Sequence, residues 1–231
     1  MDLFNELRGR LMDWGASFAG YSRVGDKLPQ SLAGLEYAIT IGVRLSDFII
    51  NEIKDSPTYT YFHHYRAVNT LIDQITLRAM LTIQDMGHAA VAVPASQTVN
   101  DADESYCAIF PHKTAAVLAG LGWIGKNGLF ISTDYGPRVR LGTILTNLKL
   151  PVRAKAASGS CGECRKCVES CPALALTGNC WQEGCNRSYI FDAKACSDYM
   201  NSTFKHIGRG SVCGICMRVC PHGEKGNVYF L

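Results

Sequence analysis

Seven of the eleven cysteines in this 231-residue chain stand in two short runs near its C-terminal end. Cys161, Cys164, Cys167 and Cys171 read C-x2-C-x2-C-x3-C, followed at once by Pro172. Cys213, Cys216 and Cys220 read C-x2-C-x3-C, again followed by a proline, Pro221. Thiolates suit a soft iron–sulfide core, and a run this tight can wrap one loop around one cubane. Where two such runs occur together, the last cysteine of a run goes to the cluster held by the other. Cys161, Cys164 and Cys167 are therefore expected to share a cluster with Cys220. Cys171, Cys213 and Cys216 need one more ligand, and Cys196 in DAKACSDYM is the best placed. A pair of zinc sites is the alternative, but zinc knuckles rarely end both runs in x3-C-P.

This is the pattern of a bacterial two-cluster ferredoxin. The rest of the composition is that of an ordinary globular protein, 47% hydrophobic and 19% charged. No stretch approaches the ~18 apolar residues of a membrane span. The N-terminus, MDLFNELRGRLMDWG, is amphipathic and carries acids, unlike a signal peptide. Cysteines spaced as cluster ligands rather than as a disulfide framework point to a reducing, cytoplasmic setting. The formal net charge is +3, with ten Lys/Arg against six Asp/Glu in residues 151–231. Two oxidised cubanes would add about −2 apiece with their thiolates. That is not the strong basic excess of a nucleic-acid binder.

The cysteines need elements to hold them, and the first 150 residues alternate helices with strands. Leu3, Phe4, Leu7, Leu11 and Trp14 recur at helical spacing, with Asp2 as a cap and Gly15 as a stop. Residues 37–43 alternate as a strand, with Ile39, Ile41 and Val43 on one face and Ala38, Thr40 and Gly42 on the other. The longest helix runs from Tyr59 to Met86 on the stripe Tyr65, Val68, Ile72, Ile75, Ala79, Ile83 and Met86, with Gly87 ending it. A short strand at 89–93 stops at Pro94, 97–110 reads as a loop, and 113–121 as a short helix. Residues 129–133 and 138–146 form a second alternating pair joined by the turn 134–137. PVRAKAASGS at 151–160 reads as a linker, which divides the chain into domains 1–150 and 151–231. The fold class expected is α+β.

A second signal is AGLGWIGKNGLF at 119–130. Its glycines permit tight turns or close approach of backbone to a flat ligand. They do not follow a strand in the dinucleotide-binding manner. Taken with YAITIGVRLS, YGPRVRLGT, DAKAC and the two cysteine runs, the chain resembles the epoxyqueuosine reductase family and its relatives, the reductive dehalogenases. The resemblance implies a nitroreductase-like, cobalamin-binding domain followed by the double 4Fe–4S domain, with the corrinoid between them and its lower ligand off the cobalt. No D-x-H-x-x-G motif is present, so a histidine-ligated cobalamin is not indicated. Carried over by residue, Trp123, Gly125, Lys126 and Asn127 lie along the corrinoid, and Arg138, Arg140, Leu141, Gly142 and Thr143 line or support its pocket. The resemblance also supports Cys196 as the missing cluster ligand.

The chain departs from queuosine-forming enzymes in three ways. It ends at Leu231 with no helical-repeat segment for tRNA, so tRNA is not expected as a partner. Their acidic proton donor falls opposite Tyr106, where a phenol, protonated at neutral pH, could donate instead, as in the dehalogenases. Cys180 and Cys185 are inserted between the cysteine runs, as plain thiols or an extra metal site. Cys107 beside Tyr106 reads as a buried thiol, His63 and His64 as helix histidines, and His112 as either a cofactor-facing or a capping residue. The expected function is a cytoplasmic reductase passing electrons from ferredoxin or flavodoxin through two 4Fe–4S clusters to cobalamin, which acts on a small organic substrate. Its alternatives are a non-catalytic electron-transfer or corrinoid-reducing protein, and a flavin-binding version of the same fold.

Overall fold

The computed structural model describes residues 3–96, 99–101, 104–152, 159–210 and 212–226. Asp2 and residues 153–158 of the expected linker lie outside them. The chain order is α1 (Leu3–Asp13), β1 (Phe18–Arg23), β2 (Tyr37–Arg44), α2 (Asp47–Asn51), α3 (Tyr59–Asp85), β3 (Ala90–Val93), β4 (Val99–Asp101), β5 (Glu104–Cys107), α4 (His112–Leu118), β6 (Gly122–Ile124), β7 (Phe130–Ser132), β8 (Val139–Thr146), α5 (Lys166–Glu169), α6 (Ala193–Thr203) and α7 (Ile215–Arg218). They form two compact units, each of three segments. The first takes Met1–Arg44, Ala67–Leu121 and Arg140–Ala157, and the second Leu45–Arg66, Gly122–Val139 and Ser158–Leu231. This grouping differs from a single cut at residue 150, because segments 45–66 and 122–139 pack with the cysteine-bearing segment.

The first unit is built on a four-stranded sheet in the order β1-β2-β8-β3. β1 pairs antiparallel with β2 from Phe18↔Gly42 to Arg23↔Tyr37, and β3 with β8 from Ala90↔Thr146 to Val93↔Thr143. The two central strands are buried almost end to end, so both faces of β2 are covered. Its branched residues take one face and its small ones the other. On α3 the expected stripe is observed: Val68, Ile72, Ile75, Ala79 and Ile83 are buried, while Met86 is exposed. Gly142 lets this helix lie close to the sheet. A Cβ there would fall 2.5 Å from Ile72 Cγ2 and 2.9 Å from Thr76 Cγ2. Val24, Leu35, Ala38, Val93, Phe110, Ala115 and Leu145 form a further core cluster. Residues 97–110, expected as a loop, contain the antiparallel hairpin β4–β5 with a register shift between Val99 and Asp101.

In the second unit, β7 pairs with β6 and not with β8. This corrects the expected pairing of 129–133 with 138–146. The register Gly122↔Ser132, Trp123↔Ile131, Ile124↔Phe130 makes GWIGKNGLFIS a hairpin. A Cβ on Gly122 would sit 2.0 Å from the carbonyl oxygen of Ile131, so only glycine allows the two backbones so close. The tip is closed by Gly125 N–H to Leu129 O at 2.9 Å and Gly128 N–H to Gly125 O at 2.9 Å, with Gly128 at φ 67.

His112 opens α4 within the first unit. Its Nε2 lies 3.0 Å from the Pro94 carbonyl and its Nδ1 2.8 Å from Thr143 Oγ1. A carbonyl only accepts, so Nε2 carries the proton and Nδ1 accepts from the threonine. Burial pushes its pKa down to about 4, helped by Arg140 and Lys113 and opposed by the Pro94 bond and Asp73. With the folded value below the unfolded 6.5, the unfolded chain binds a proton that the folded chain refuses between pH 6.5 and 4. Stability is therefore lost as the pH falls through that window. Allowing for the ring's partial exposure, the loss is on the order of 2 kcal/mol relative to His112→Gln. Urea midpoints across pH 4–7 check this, and parallel profiles for the two proteins would contradict it.

Candidate metal centre

The eight thiols of the sequence reading all fall in the second unit, carried by short elements. Cys167 lies on the one-turn α5 and Cys216 on the equally short α7, and α5 packs beside α7. Cys196 lies on α6, whose first turn is capped by the Asp192 carboxylate accepting the Ala195 N–H at 2.9 Å. Cys161, Cys164, Cys167 and Cys220 line one small cavity, together with Lys126, Asn127, Ile131, Pro221 and His222. Three members of the first run and the last of the second thus line the same cavity.

Electrostatic neighbourhoods link the thiols mostly within two sets, with Cys167 and Cys216 interacting between them. Burial raises Cys167, with Cys161 and Cys164 adding to it. Burial, joined by Cys161, Cys167 and Cys164 and opposed by a backbone N–H bond from His222, pushes Cys220 up to about 11. Burial also takes Cys196 to about 11, followed by Cys213, Cys171 and Asp192. Cys213 is raised by burial and Cys171, and Cys216 well up by burial, then Cys213, Cys196, Cys167 and Cys171. Cys171, Cys196 and Cys213 thus all act on Cys216, which also feels Cys167. Among the described residues no group of three or more His, Cys, Asp or Glu side chains could hold a metal ion as it stands. Four thiols around one cavity are the donor set of a cubane, with an iron at each of four corners.

The hairpin tip reaches both runs. Lys126, 7% exposed, donates from Nζ to the Gly162 carbonyl at 2.7 Å. Asn127, 5% exposed, donates from Nδ2 to the Cys216 carbonyl at 3.3 Å and accepts the Leu129 N–H at 3.1 Å. Gly125 leaves room for this amide, since a Cβ there would lie 2.9 Å from Asn127 Oδ1. Trp123 meets His222 edge-on, with ring centroids 5.1 Å apart, and Gly159 lies against its ring. Its indole Nε1 is buried with no hydrogen-bond partner among the described residues.

The remaining residues assigned by resemblance are spread over both units. Arg138, 2% exposed, donates to Asp47 Oδ1 at 2.7 Å and to Asn51 Oδ1 at 3.0 Å, tying β8's start to α2. Arg140 donates to Asn69 Oδ1 at 2.9 Å and to the Ala95 carbonyl at 3.4 Å in the first unit. Leu141 and Thr143 are buried there, and Gly142 faces α3. Tyr106 lies on β5, 37% exposed, with φ 65. Cys107 is half-buried beside it. Cys180 is exposed and Cys185 half-buried, and neither lines the cysteine cavity. His64 Nε2 accepts the Ser46 N–H at 3.0 Å, and burial, then His63, lowers its pKa. The cavity residue that the sequence reading passed over is His222, although its place directly after Cys220-Pro221 was a signal.

Comparison with known proteins agrees with this geometry. Residues 160–223 match the 4Fe-4S double cluster binding domain. The chain is 35% identical over 126 residues to an epoxyqueuosine reductase of Lactococcus garvieae, an alignment covering 50% of this chain and 32% of that protein. It is 36% identical over 122 residues to a tetrachloroethene reductive dehalogenase of Sulfurospirillum multivorans, covering 49% and 24%. The aligned segment is thus about a third of the length of these curated relatives, or less. Among solved structures, a catabolic reductive dehalogenase in complex with 3-bromo-4-hydroxybenzoic acid superposes with TM-score 0.76 at 20% identity, over 96% of this chain and 32% of that one. The epoxyqueuosine reductase of Streptococcus thermophilus gives 0.60 at 21%, over 96% and 66%. No helix among the described residues is long and apolar enough to cross a membrane. The chain is a relative of the epoxyqueuosine reductases and reductive dehalogenases, and it carries their kind of fold together with a double 4Fe–4S cluster binding domain.

Proposed function

We propose that this protein is a cobalamin-dependent iron–sulfur reductase that takes electrons from a low-potential donor, ferredoxin or flavodoxin, and reduces a small organic substrate. One cluster takes Cys161, Cys164, Cys167 and Cys220, and the other takes Cys171, Cys196, Cys213 and Cys216. The observation that carries the reading is the meeting of Cys220 with the first cysteine run around one cavity. The relatives support the rest: they are named reductases and reductive dehalogenases, and one solved neighbour is described as acting in B12-dependent dehalogenation. Most of the first 150 residues make up the nitroreductase-like domain in this reading, while the hairpin 122–132 serves the clusters.

A corrinoid, when bound, supplies a cobalt that is both strongly reducing and strongly nucleophilic, and the protein supplies orientation, dryness and a proton. Among the side chains set along it by resemblance, Trp123 keeps a buried N–H with no acceptor among the described residues, which a ligand acceptor would satisfy. Arg138, Gly142 and Thr143 support the surrounding structure instead, through α2, α3 and His112. Tyr106 is the proton donor of the proposal. Its left-handed backbone, uncommon for a bulky residue, fits a side chain held for a task.

Anaerobically purified protein is expected to hold about eight irons. Cys180→Ser with Cys185→Ser should keep them, whereas Cys220→Ser should cut the count to about four. An unchanged count in Cys220→Ser would sink the ligand assignment. Added cobalamin should bind tightly and, on reduction with dithionite, show a base-off cobalt(II) electron-spin signal. Tyr106→Phe should bind it as well but turn over about 100-fold more slowly or worse. Full clusters with no cobalamin binding would rule out this function and leave an electron carrier or a flavin protein.

A further inference from the structure

Lys126 stands out among the charged residues of the second unit. It is 7% exposed, at the tip of the β6–β7 hairpin, and lines the cavity that holds four of the thiols. Its ammonium has three protons to donate, yet among the described residues its one hydrogen-bond partner is the neutral Gly162 carbonyl at 2.7 Å, with no carboxylate in ion-pair reach. A buried cation so poorly matched is costly unless an anion joins it. The anion the cavity would take is a cubane with four thiolates, about −2 when oxidised and −3 after gaining one electron. A fixed positive charge stabilises the second state more than the first, which raises the reduction potential.

We propose that Lys126 is the buried counter-ion of the cluster on Cys161, Cys164, Cys167 and Cys220, and raises the reduction potential of that cluster. The glycine-rich segment is then a device for placing a charge. Gly125 and Gly128 shape the tip, Asn127 pins it to the Cys216 carbonyl, and Lys126 lines the cavity and holds the Gly162 carbonyl. The step concerned is a plain one-electron reduction of the cluster by the donor, with no bond made or broken. The inference rests on the proposed cluster ligands and needs neither the corrinoid nor turnover.

The test is a redox titration of anaerobic, full-length protein with dithionite, read by the electron-spin signals of the reduced clusters, on wild type, Lys126→Met and Lys126→Arg. In Lys126→Met one of the two cluster steps should move to more negative potential while the other stays, and Lys126→Arg should leave both in place. A Lys126→Met protein with both clusters full and neither step moved overturns the proposal. If Lys126→Met holds only about four irons and Lys126→Arg about eight, the charge is what retains the cluster, as proposed. If both variants lose iron alike, the side chain acts through its shape and the counter-ion role is wrong. A wild type without about eight irons is a failure of the cluster assignment itself, seen before any titration.

Discussion

Eight thiols packed into a unit this small cannot ionise together without a cation among them. Burial and mutual repulsion hold Cys196 and Cys220 near 11 and push Cys167, Cys213 and Cys216 upward as well. Iron relieves both penalties at once, by neutralising the thiolates and linking them. Loading the clusters therefore releases protons and binds together segments that have little regular structure of their own. α5 and α7 are single turns. Helices that short are not stable by themselves. The second unit is expected to draw much of its stability from its metal.

The hairpin β6–β7 is the protein's own contribution to the same problem. Its tip places Lys126 against the first cysteine run and Asn127 against the second. The pressing together of Gly122 and Ile131 fixes where the tip falls. A segment that reads in isolation as a ligand-hugging loop becomes a brace between two metal-binding loops. Arg138 braces the start of the next strand in a similar way, with its guanidinium held by Asp47 and Asn51.

The cysteine spacing could be read directly because cluster ligation is local and each thiol has a narrow range of uses. The apolar stripe of α3 and the alternation of β2 were readable for the same reason: period and burial agree along one element. Partner choice between strands was not. Residues 130–132 and 139–146 both alternate, and nothing local says that the first pairs back to 122–124 while the second enters a different sheet. The interleaved units follow from the same non-local pairing. The residues carried over by resemblance divide on similar grounds. Glycine, threonine and arginine on the central strand β8 answer first to their neighbours, so Gly142 makes room for α3 and Thr143 serves His112. Trp123 Nε1 and Arg138 Nε are the buried donors of this set left unmatched among the described residues.

The central claim is that two cubanes are held by crossed cysteine runs. Anomalous scattering at the iron edge from anaerobically grown crystals tests it most directly. The account predicts two compact groups of four irons, one touching Cys220 together with Cys161, Cys164 and Cys167, the other touching Cys171 together with Cys196, Cys213 and Cys216. Cys171 on the same cluster as Cys161, or single isolated metal ions in place of iron groups, would contradict it.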